Sequence, residues 1–294
     1  MNRQETIKAY AAWGAVCLFW GTTYLAIRIG VQRLPPALFA GVRFLIAGFI
    51  ILTYLRLRGY PLPRPREWLH MAVVGISLLV MANGLVVWSE QWVPSGLTAV
   101  IIATVPFWTA GLEAMLPSGE RLSLRKVLGI VIGFAGVIIL FAPDLGRSFD
   151  KAYLKGVMVL IFVPFFWSLG SIYSKHHPLQ SSAMVAAGTE TLIAGIVLTG
   201  IGTLLGEWKE FTLNWKGMAS IAYLIGFGSI VGYSSFIYAL SKLPVTTVSM
   251  YAYINPVIAV ILGWLILGER LDWSVVTATT IVLLGVALVR SAKT

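Results

Sequence analysis

The sequence predicts an all-α integral membrane protein with ten transmembrane helices in two inverted five-helix repeats. Three observations support this fold class. Of the 294 residues 58% are hydrophobic and only 12% are charged, apolar stretches recur along the whole chain, and the two halves of the chain match each other in order. Soluble proteins carry roughly 25% charged residues, so the few charges here cannot cover a soluble surface.

Ten apolar segments are each long enough to cross the roughly 30 Å of hydrocarbon in a bilayer. We expect helices rather than barrel strands, because the segments are longer than a strand needs and lack alternating polar residues. The first half contributes residues 10–29, 37–55, 69–87, 93–116 and 124–141. The second half contributes residues 155–174, 181–205, 217–240, 244–267 and 273–289.

The basic residues predict the orientation in the membrane and explain the net charge of +10. They fall mainly in short loops and are more numerous on the side of the N-terminus, as at Arg56, Arg58, Arg64 and Arg66. Because cytoplasmic loops are enriched in Lys and Arg, we expect both termini in the cytoplasm. The positive charge therefore fits a membrane protein, and we expect no nucleic-acid partner.

An internal repeat divides the chain into residues 1–147 and 148–294. Four groups of residues return after 147 to 150 positions: Leu45 to Gly48 as Leu192 to Gly195, Phe19 and Trp20 as Phe166 and Trp167, Pro94 and Pro106 as Pro244 and Pro256, and Gly119 to Leu122 as Gly268 to Leu271. Each half holds five predicted spans, an odd number, so the second half enters the membrane from the opposite side. Inverted repeats are typical of secondary transporters, whose substrate lies near the midplane at the repeat interface.

Four motifs carry a family resemblance: Phe19 to Tyr24, Gly41 to Leu45, Tyr251 to Pro256 and the two Gly-Glu-Arg-Leu turns. They resemble the EamA family of the drug/metabolite transporter superfamily, close to its YddG and YedA type of exporter. The resemblance implies a central cavity lined mainly by the first four helices of each half. It also implies export of small solutes, with amino acids and related metabolites prominent, across the cell's inner membrane, and it leaves the substrate open.

Arg43 and Glu190 are the first candidates for a site, because an ionisable side chain inside the membrane is costly unless it is paired or hydrated. They occupy the same position in the repeat, 147 residues apart. Arg43 would hold a substrate carboxylate, and Glu190 an amine or a proton. The alternative is that each makes a structural contact inside the helix bundle.

A stripe of larger side chains on the first predicted helix returns on the sixth. Trp20 and Tyr24 lie one turn apart, and Trp167 and Ser171 follow at the same spacing. Aromatic walls can bury apolar parts of a substrate and attract ammonium groups. We therefore expect Trp20 and Trp167 to line a cavity, with interhelical packing as the alternative.

The third and ninth predicted helices add polar candidates. The third ends with Trp88 and Glu90, and Asn83 precedes Glu90 by two turns on the same face. Glu90 would act as a gate or proton site, or would sit in interfacial water. Tyr251 and Asn255 share a face of the ninth helix, where they would contact a ligand or form hydrogen bonds between helices.

Pro106 and Pro256 are candidates for gating. Each falls deep within a predicted span, where proline removes a backbone donor and permits a kink. Paired kinks would suit rocking of one half against the other, and a static bend that shapes the cavity is the alternative. If transport is coupled to protons, Glu190 is the first candidate because it is an intramembrane carboxyl group.

Other function classes lack their motifs. No Walker sequence indicates an ATPase, and no His-Glu-x-x-His or Gly-x-Ser-x-Gly motif indicates an intramembrane enzyme. The lone Cys17 excludes an internal disulfide and a multi-cysteine metal site. We expect a secondary transporter without catalytic residues, cofactor or metal, whose partners are a small-molecule substrate and the lipid bilayer. A passive channel and a drug or cation exporter are the alternatives, and the sequence is compatible with a monomer.

Overall fold

The protein is described by a computed structural model that covers residues 3–116, 123–141, 151–269 and 271–291. Over these residues the regular elements are helices. The first half forms α1 (Arg3–Val31), α2 (Pro36–Leu57), α3 (Pro65–Ser89), α4 (Ser95–Ala114) and α5 (Leu124–Phe141). The second half forms α6 (Lys151–His176), α7 (Ala183–Leu204), α8 (Trp215–Lys242), α9 (Val245–Val248 followed by Tyr251–Leu267) and α10 (Trp273–Ser291).

The all-helical membrane class is confirmed at the level of its long helices. Seven helices, α1 to α4 and α6 to α8, are long and apolar enough to cross a membrane, and two shorter apolar helices, Ile254–Leu267 and Trp273–Leu288, follow them. The full count of ten spans in two inverted repeats stays a prediction at this point. The first Gly-Glu-Arg-Leu turn, residues 119–122, and Arg270 of the second turn lie outside the described residues.

The outer surface of the helices is apolar where it would face lipid. Leu18, Phe49 and Ile196, which lie in the middle of α1, α2 and α7, are 57%, 66% and 58% exposed. Soluble proteins rarely expose large apolar patches. The same side chains are favourable in hydrocarbon, so the surface fits a bundle that is surrounded by a bilayer.

Three glutamate carboxylates accept hydrogen bonds from main-chain N–H groups at or directly before the start of another helix. Glu207 accepts from the main-chain N–H groups of Ala37 and Leu38 in the first turn of α2, and Glu269 accepts from those of Ser95 and Gly96 in the first turn of α4. Glu67 accepts from Gln180 and Ser181 in the loop directly before α7. A carboxylate at this place satisfies unpaired donors and complements the helix dipole. These contacts therefore fix the ends of three helices against other parts of the bundle.

Helices of the two halves pack against each other in matching pairs. The most extensive contacts join α2 to α7 and α5 to α10. Helix α1 of the first half packs on α8 and α9 of the second half. In the same way, helix α6 of the second half packs on α3 and α4 of the first half. A Cβ atom built on Gly48 would lie 2.5 Å from the main-chain nitrogen of Leu192, and one built on Gly195 would clash with the main-chain nitrogen of Leu45. These two close contacts are reciprocal, because Leu45 and Gly48 are the residues that return as Leu192 and Gly195.

Four helices are irregular near the centre of the bundle. A π-helical stretch covers Ile76–Asn83 in α3 and another covers Leu224–Tyr233 in α8. Helix α4 is interrupted at Ala103 and Thr104, and α9 at Ser249 and Met250. Short π-helices shift the backbone and often mark functional sites. The irregular stretches surround the cavity that is described next.

Candidate functional site

A cavity of about 60 Å³ lies between the two halves of the bundle. Helices α1, α2, α3, α4, α6, α8 and α9 contribute to its wall. Six of the predicted site residues line it: Trp20, Tyr24, Arg43, Asn83, Trp167 and Tyr251. One water molecule needs about 10–15 Å³ of such space, so this central cavity has room for a few water molecules in the described conformation.

Trp20 forms the middle of an aromatic wall. Its ring meets those of Trp167 and Tyr251 edge-on, with centroids 5.2 Å apart in both pairs. Its Nε1 donates a hydrogen bond to the main-chain oxygen of Gly228, 3.1 Å away in the π-helical stretch of α8. A Cβ atom on Gly232 would clash with the same indole. The glycines of α8 therefore allow Trp20 to approach the backbone and to satisfy its polar atom.

Arg43 is held by Asn83 inside the bundle. The Arg43 Nη2 donates to Asn83 Oδ1 at 2.5 Å, and the guanidinium lies 4.2 Å from the centre of the Phe44 ring. The side chain is only 3% exposed, and its Nε has no hydrogen-bond partner among the described residues. Arg43 therefore combines a buried positive charge with an unused donor beside the central cavity.

Glu190 and Tyr233 form a second buried pair. The Tyr233 hydroxyl donates to Glu190 Oε2 at 2.6 Å, and both residues are at most 2% exposed. Tyr233 lines the central cavity, and Glu190 lies behind it. Glu190 follows Arg43 by 147 residues, and Tyr233 follows Asn83 by 150. The two hydrogen bonds therefore occupy corresponding places in the sequence repeat and carry opposite charges.

Glu90 is a buried carboxyl group at the end of α3. It has no exposed surface, and neither of its carboxylate oxygens has a hydrogen-bond partner among the described residues. Arg28 donates a hydrogen bond to the main-chain oxygen of Glu90. In this conformation Glu90 is therefore shielded from interfacial water.

Three other predicted residues lie outside the wall of the central cavity. Trp88 packs edge-on against Trp92 with centroids 4.8 Å apart. The Ser171 hydroxyl donates to the main-chain oxygen of Trp167 in its own helix at 2.7 Å. Asn255 is 2% exposed, and its side-chain oxygen and nitrogen have no partner within the described ranges.

The two prolines occupy different helical settings. Pro106 is the second residue of the helical piece that restarts at Val105, where its missing N–H interrupts no helix bond. Pro256 lies inside the continuous piece Tyr251–Leu267. Within the part of the chain that the structure describes, no group of three His, Cys, Asp or Glu residues is placed to hold a metal ion.

Comparison with known proteins places the chain in a family. The EamA-like transporter family matches residues 8–142 and 154–291. The chain belongs to this family. The family prediction made from the sequence motifs is thereby confirmed, and membership of this family indicates a transporter.

Relatives of the EamA-like family match nearly the whole chain. YedA of Escherichia coli K12, named an uncharacterized inner membrane transporter, is 35% identical over 294 residues, which cover 100% of this chain and 94% of YedA. PagO of Salmonella typhimurium is 26% identical over 259 residues, and the aligned region covers 87% of this chain and 84% of PagO. A solved crystal structure with 22% identity has a TM-score of 0.69 and covers 97% and 98% of the two chains, which supports the fold alone. The long apolar helices and these relatives indicate a multi-pass protein of the inner membrane.

Tyr233 is the residue with a hydrogen bond to a predicted site residue that the sequence predictions did not include. It stands in a largely apolar stretch, and a tyrosine within a membrane helix is not unusual enough to attract notice. The repeat did contain a signal, because Tyr233 follows Asn83 by the same 150 residues that separate the paired prolines. Transferring each polar candidate of the first half onto the second half would have identified it.

Proposed function

We propose that the chain is a secondary transporter that exports small polar metabolites, first of all amino acids or related compounds, across the inner membrane by alternating access. The observation that carries this proposal is the pair of buried hydrogen bonds of opposite charge, Arg43 with Asn83 and Glu190 with Tyr233, beside one aromatic cavity. A guanidinium is well suited to a carboxylate, and a carboxylate to an ammonium group. A zwitterion offers both groups to the site.

The proposed architecture is two inverted repeats of five spans, residues 1–147 and 148–294, with both termini in the cytoplasm. The family matches at 8–142 and 154–291 fall on either side of the boundary between them. The reciprocal contacts of Gly48 and Gly195, together with the two π-helical stretches, support a twofold relation between the halves. Substrate sites of such transporters lie at the interface of the repeats, where the central cavity is found.

The small size of the central cavity supports a carrier rather than an open pore. A volume of about 60 Å³ has room for a few water molecules and must widen to admit an amino acid. The π-helical stretches in α3 and α8 contribute to the wall that would have to move, and the interruptions of α4 and α9 directly follow Ile102 and precede Tyr251 in that wall. A carrier passes through a closed state without room for its substrate, whereas an open pore keeps a continuous path.

The test is transport by the purified protein in liposomes that are preloaded with a radiolabelled amino-acid mixture. We expect saturable efflux that accelerates when unlabelled amino acids are present on the other side, as a carrier requires. Arg43→Ala and Glu190→Ala should reduce this efflux. The exposed charges Lys209 and Glu210 provide matched controls, and their alanine variants should transport normally.

Each alternative has its own outcome in this assay. Efflux that does not saturate and does not respond to exchange would indicate a passive channel. Normal efflux in both site variants would refute the site while leaving the carrier in place. No efflux of amino acids from well-folded protein would refute this substrate class and direct the search to drug-like cations.

A further inference from the structure

A second and larger cavity opens at the end of the bundle where α1 begins. Its volume is about 590 Å³, and its walls come from the end of α6, the loop that follows, the start of α7 and the end of α8. Lys242 in this wall lies 3.7 Å from Glu5 of α1, which fixes the end of the bundle to which the cavity belongs. We call this cavity the vestibule.

Glu190 lies at the inner end of the vestibule. It follows the first residue of α7, Ala183, by seven positions, which is about 10 Å along a helix. Glu190 lines the vestibule, and its hydrogen-bond partner Tyr233 lines the central cavity. The 2.6 Å hydrogen bond between them therefore runs through the wall that separates the two cavities.

The charges around the vestibule leave the carboxylate of Glu190 without a cationic partner. The Lys175 Nζ donates to the main-chain oxygens of Leu240 and Leu243 at 3.1 Å each, so it holds the end of α8. Lys242 pairs with Glu5 of α1. Glu190 accepts from the neutral hydroxyl of Tyr233, and no described basic side chain pairs with it. A buried carboxylate of this kind is suited to a cationic ligand.

We propose that Glu190 binds the ammonium group of a substrate that arrives through the vestibule, and that its hydrogen bond to Tyr233 is the inner gate. This inference rests on the proposed transport function and names the group of the substrate that is recognised first. An ammonium ion adds the attraction of a full positive charge to its hydrogen bond with a carboxylate, whereas the hydroxyl of Tyr233 donates without a charge of its own. The ammonium group therefore displaces Tyr233, and the released ring leaves the wall between the cavities.

The repeat extends the gate to the other end of the bundle. Arg43 and Asn83 stand at the positions that correspond to Glu190 and Tyr233, and they form the corresponding hydrogen bond. Under an inverted repeat, this second pair closes the central cavity towards the opposite end. Its ligand is the carboxylate of the substrate, because its charged member is a guanidinium.

Cysteine labelling tests the inner gate without a transported substrate. Cys17 is the single cysteine, so Cys17→Ala gives a background free of other thiols. In that background Ser229→Cys reports on the central cavity, and Ser174→Cys reports on the vestibule. The reaction rate of each introduced thiol with iodoacetamide is measured on purified protein in detergent. Ethylammonium chloride is the ammonium probe, and sodium chloride of equal ionic strength is its control.

Tyr233→Phe removes the hydroxyl of the gate and keeps the ring. We expect it to raise the labelling rate at position 229 by about tenfold, the shift that corresponds to loss of one hydrogen bond, and to leave the rate at position 174 unchanged. Ethylammonium chloride should raise the rate at position 229 in protein that retains Tyr233. The response to ethylammonium should disappear in Glu190→Gln, which removes the negative charge.

The outcomes separate the parts of the proposal. An unchanged rate at position 229 in Tyr233→Phe would overturn the gate, and so would an equal rise at positions 174 and 229, because that indicates general loosening. A faster rate in Tyr233→Phe without any response to ethylammonium would overturn the ammonium site. Failure of amino-acid efflux in liposomes would refute the proposed function but would not alter these labelling rates.

Discussion

The close approach of α2 and α7 can be tested by adding a single methyl group. In Gly48→Ala the new Cβ would lie 2.5 Å from the main-chain nitrogen and 2.7 Å from the Cα of Leu192. Main-chain atoms cannot rotate away as a side chain can, so the two helices have to separate locally. Overpacking of this kind costs about 1–3 kcal/mol, while alanine is favoured over glycine in a helix by roughly 0.5–1 kcal/mol. We therefore expect the free energy of unfolding to fall by about 1–2 kcal/mol.

The measurement is reversible unfolding by SDS in mixed micelles, followed by tryptophan fluorescence. Gly200→Ala is the matched control, because it lies in α7 and a Cβ there would meet no atom within 4 Å. It should leave stability unchanged or raise it by up to about 1 kcal/mol. Gly195→Ala should match Gly48→Ala, since the two contacts are reciprocal. If Gly48→Ala proves as stable as Gly200→Ala, the helices do not approach as described.

Three further predictions use the same unfolding assay. Glu67→Ala should lower the free energy of unfolding by about 1.5–3 kcal/mol, because its carboxylate accepts hydrogen bonds from the main-chain nitrogens of Gln180 and Ser181 at 2.6 and 3.0 Å. The control is Glu210→Ala, which removes an exposed carboxylate. Glu90→Gln should change it by less than about 1 kcal/mol, since neither carboxylate oxygen has a described partner to lose, and a larger loss would reveal an ion pair. Cys17, which is 5% exposed, should react with iodoacetamide only after SDS unfolds the protein, so fast labelling of native protein would contradict its burial.

The positions of the helices could be predicted because the bilayer imposes a simple rule on the sequence. A span must be apolar over about 20 residues, and charged residues, prolines and glycines mark its ends. Helix α5, for example, covers the predicted residues 124–141. The π-helical stretches could not be predicted in this way. Ile76–Asn83 has only Ser77 and Asn83 as polar residues, which is too few to show in the sequence pattern that the helical turns are wider there.

Candidate residues of the site could be chosen by type, but their partners could not. Arg43 was recognisable because an arginine in an apolar span is rare. Its contacts depend on α3, and those of Trp20 depend on a carbonyl group 208 residues later in the chain. Ser171 follows Trp167 at the same spacing as Tyr24 follows Trp20, but it lies outside the cavity wall. Spacing defines a face of a helix, but the packing of the other helices decides which face meets the cavity.

Arg43 and Glu190 occupy corresponding positions of the repeat but carry opposite charges, and this difference affects which substrates the two proposed gates would recognise. If both halves carried Arg43-like residues, the two gates would recognise the same group, and a simple anion would satisfy both. The chain instead has Arg43 in one half and Glu190 in the other, each bonded to a neutral partner. Under the proposed inverted repeat, a molecule must then offer a carboxylate at one gate and an ammonium group at the other. In the proposed mechanism, the repeated backbone would provide a gate at each end, and the difference in charge between Arg43 and Glu190 would provide the preference for a zwitterion.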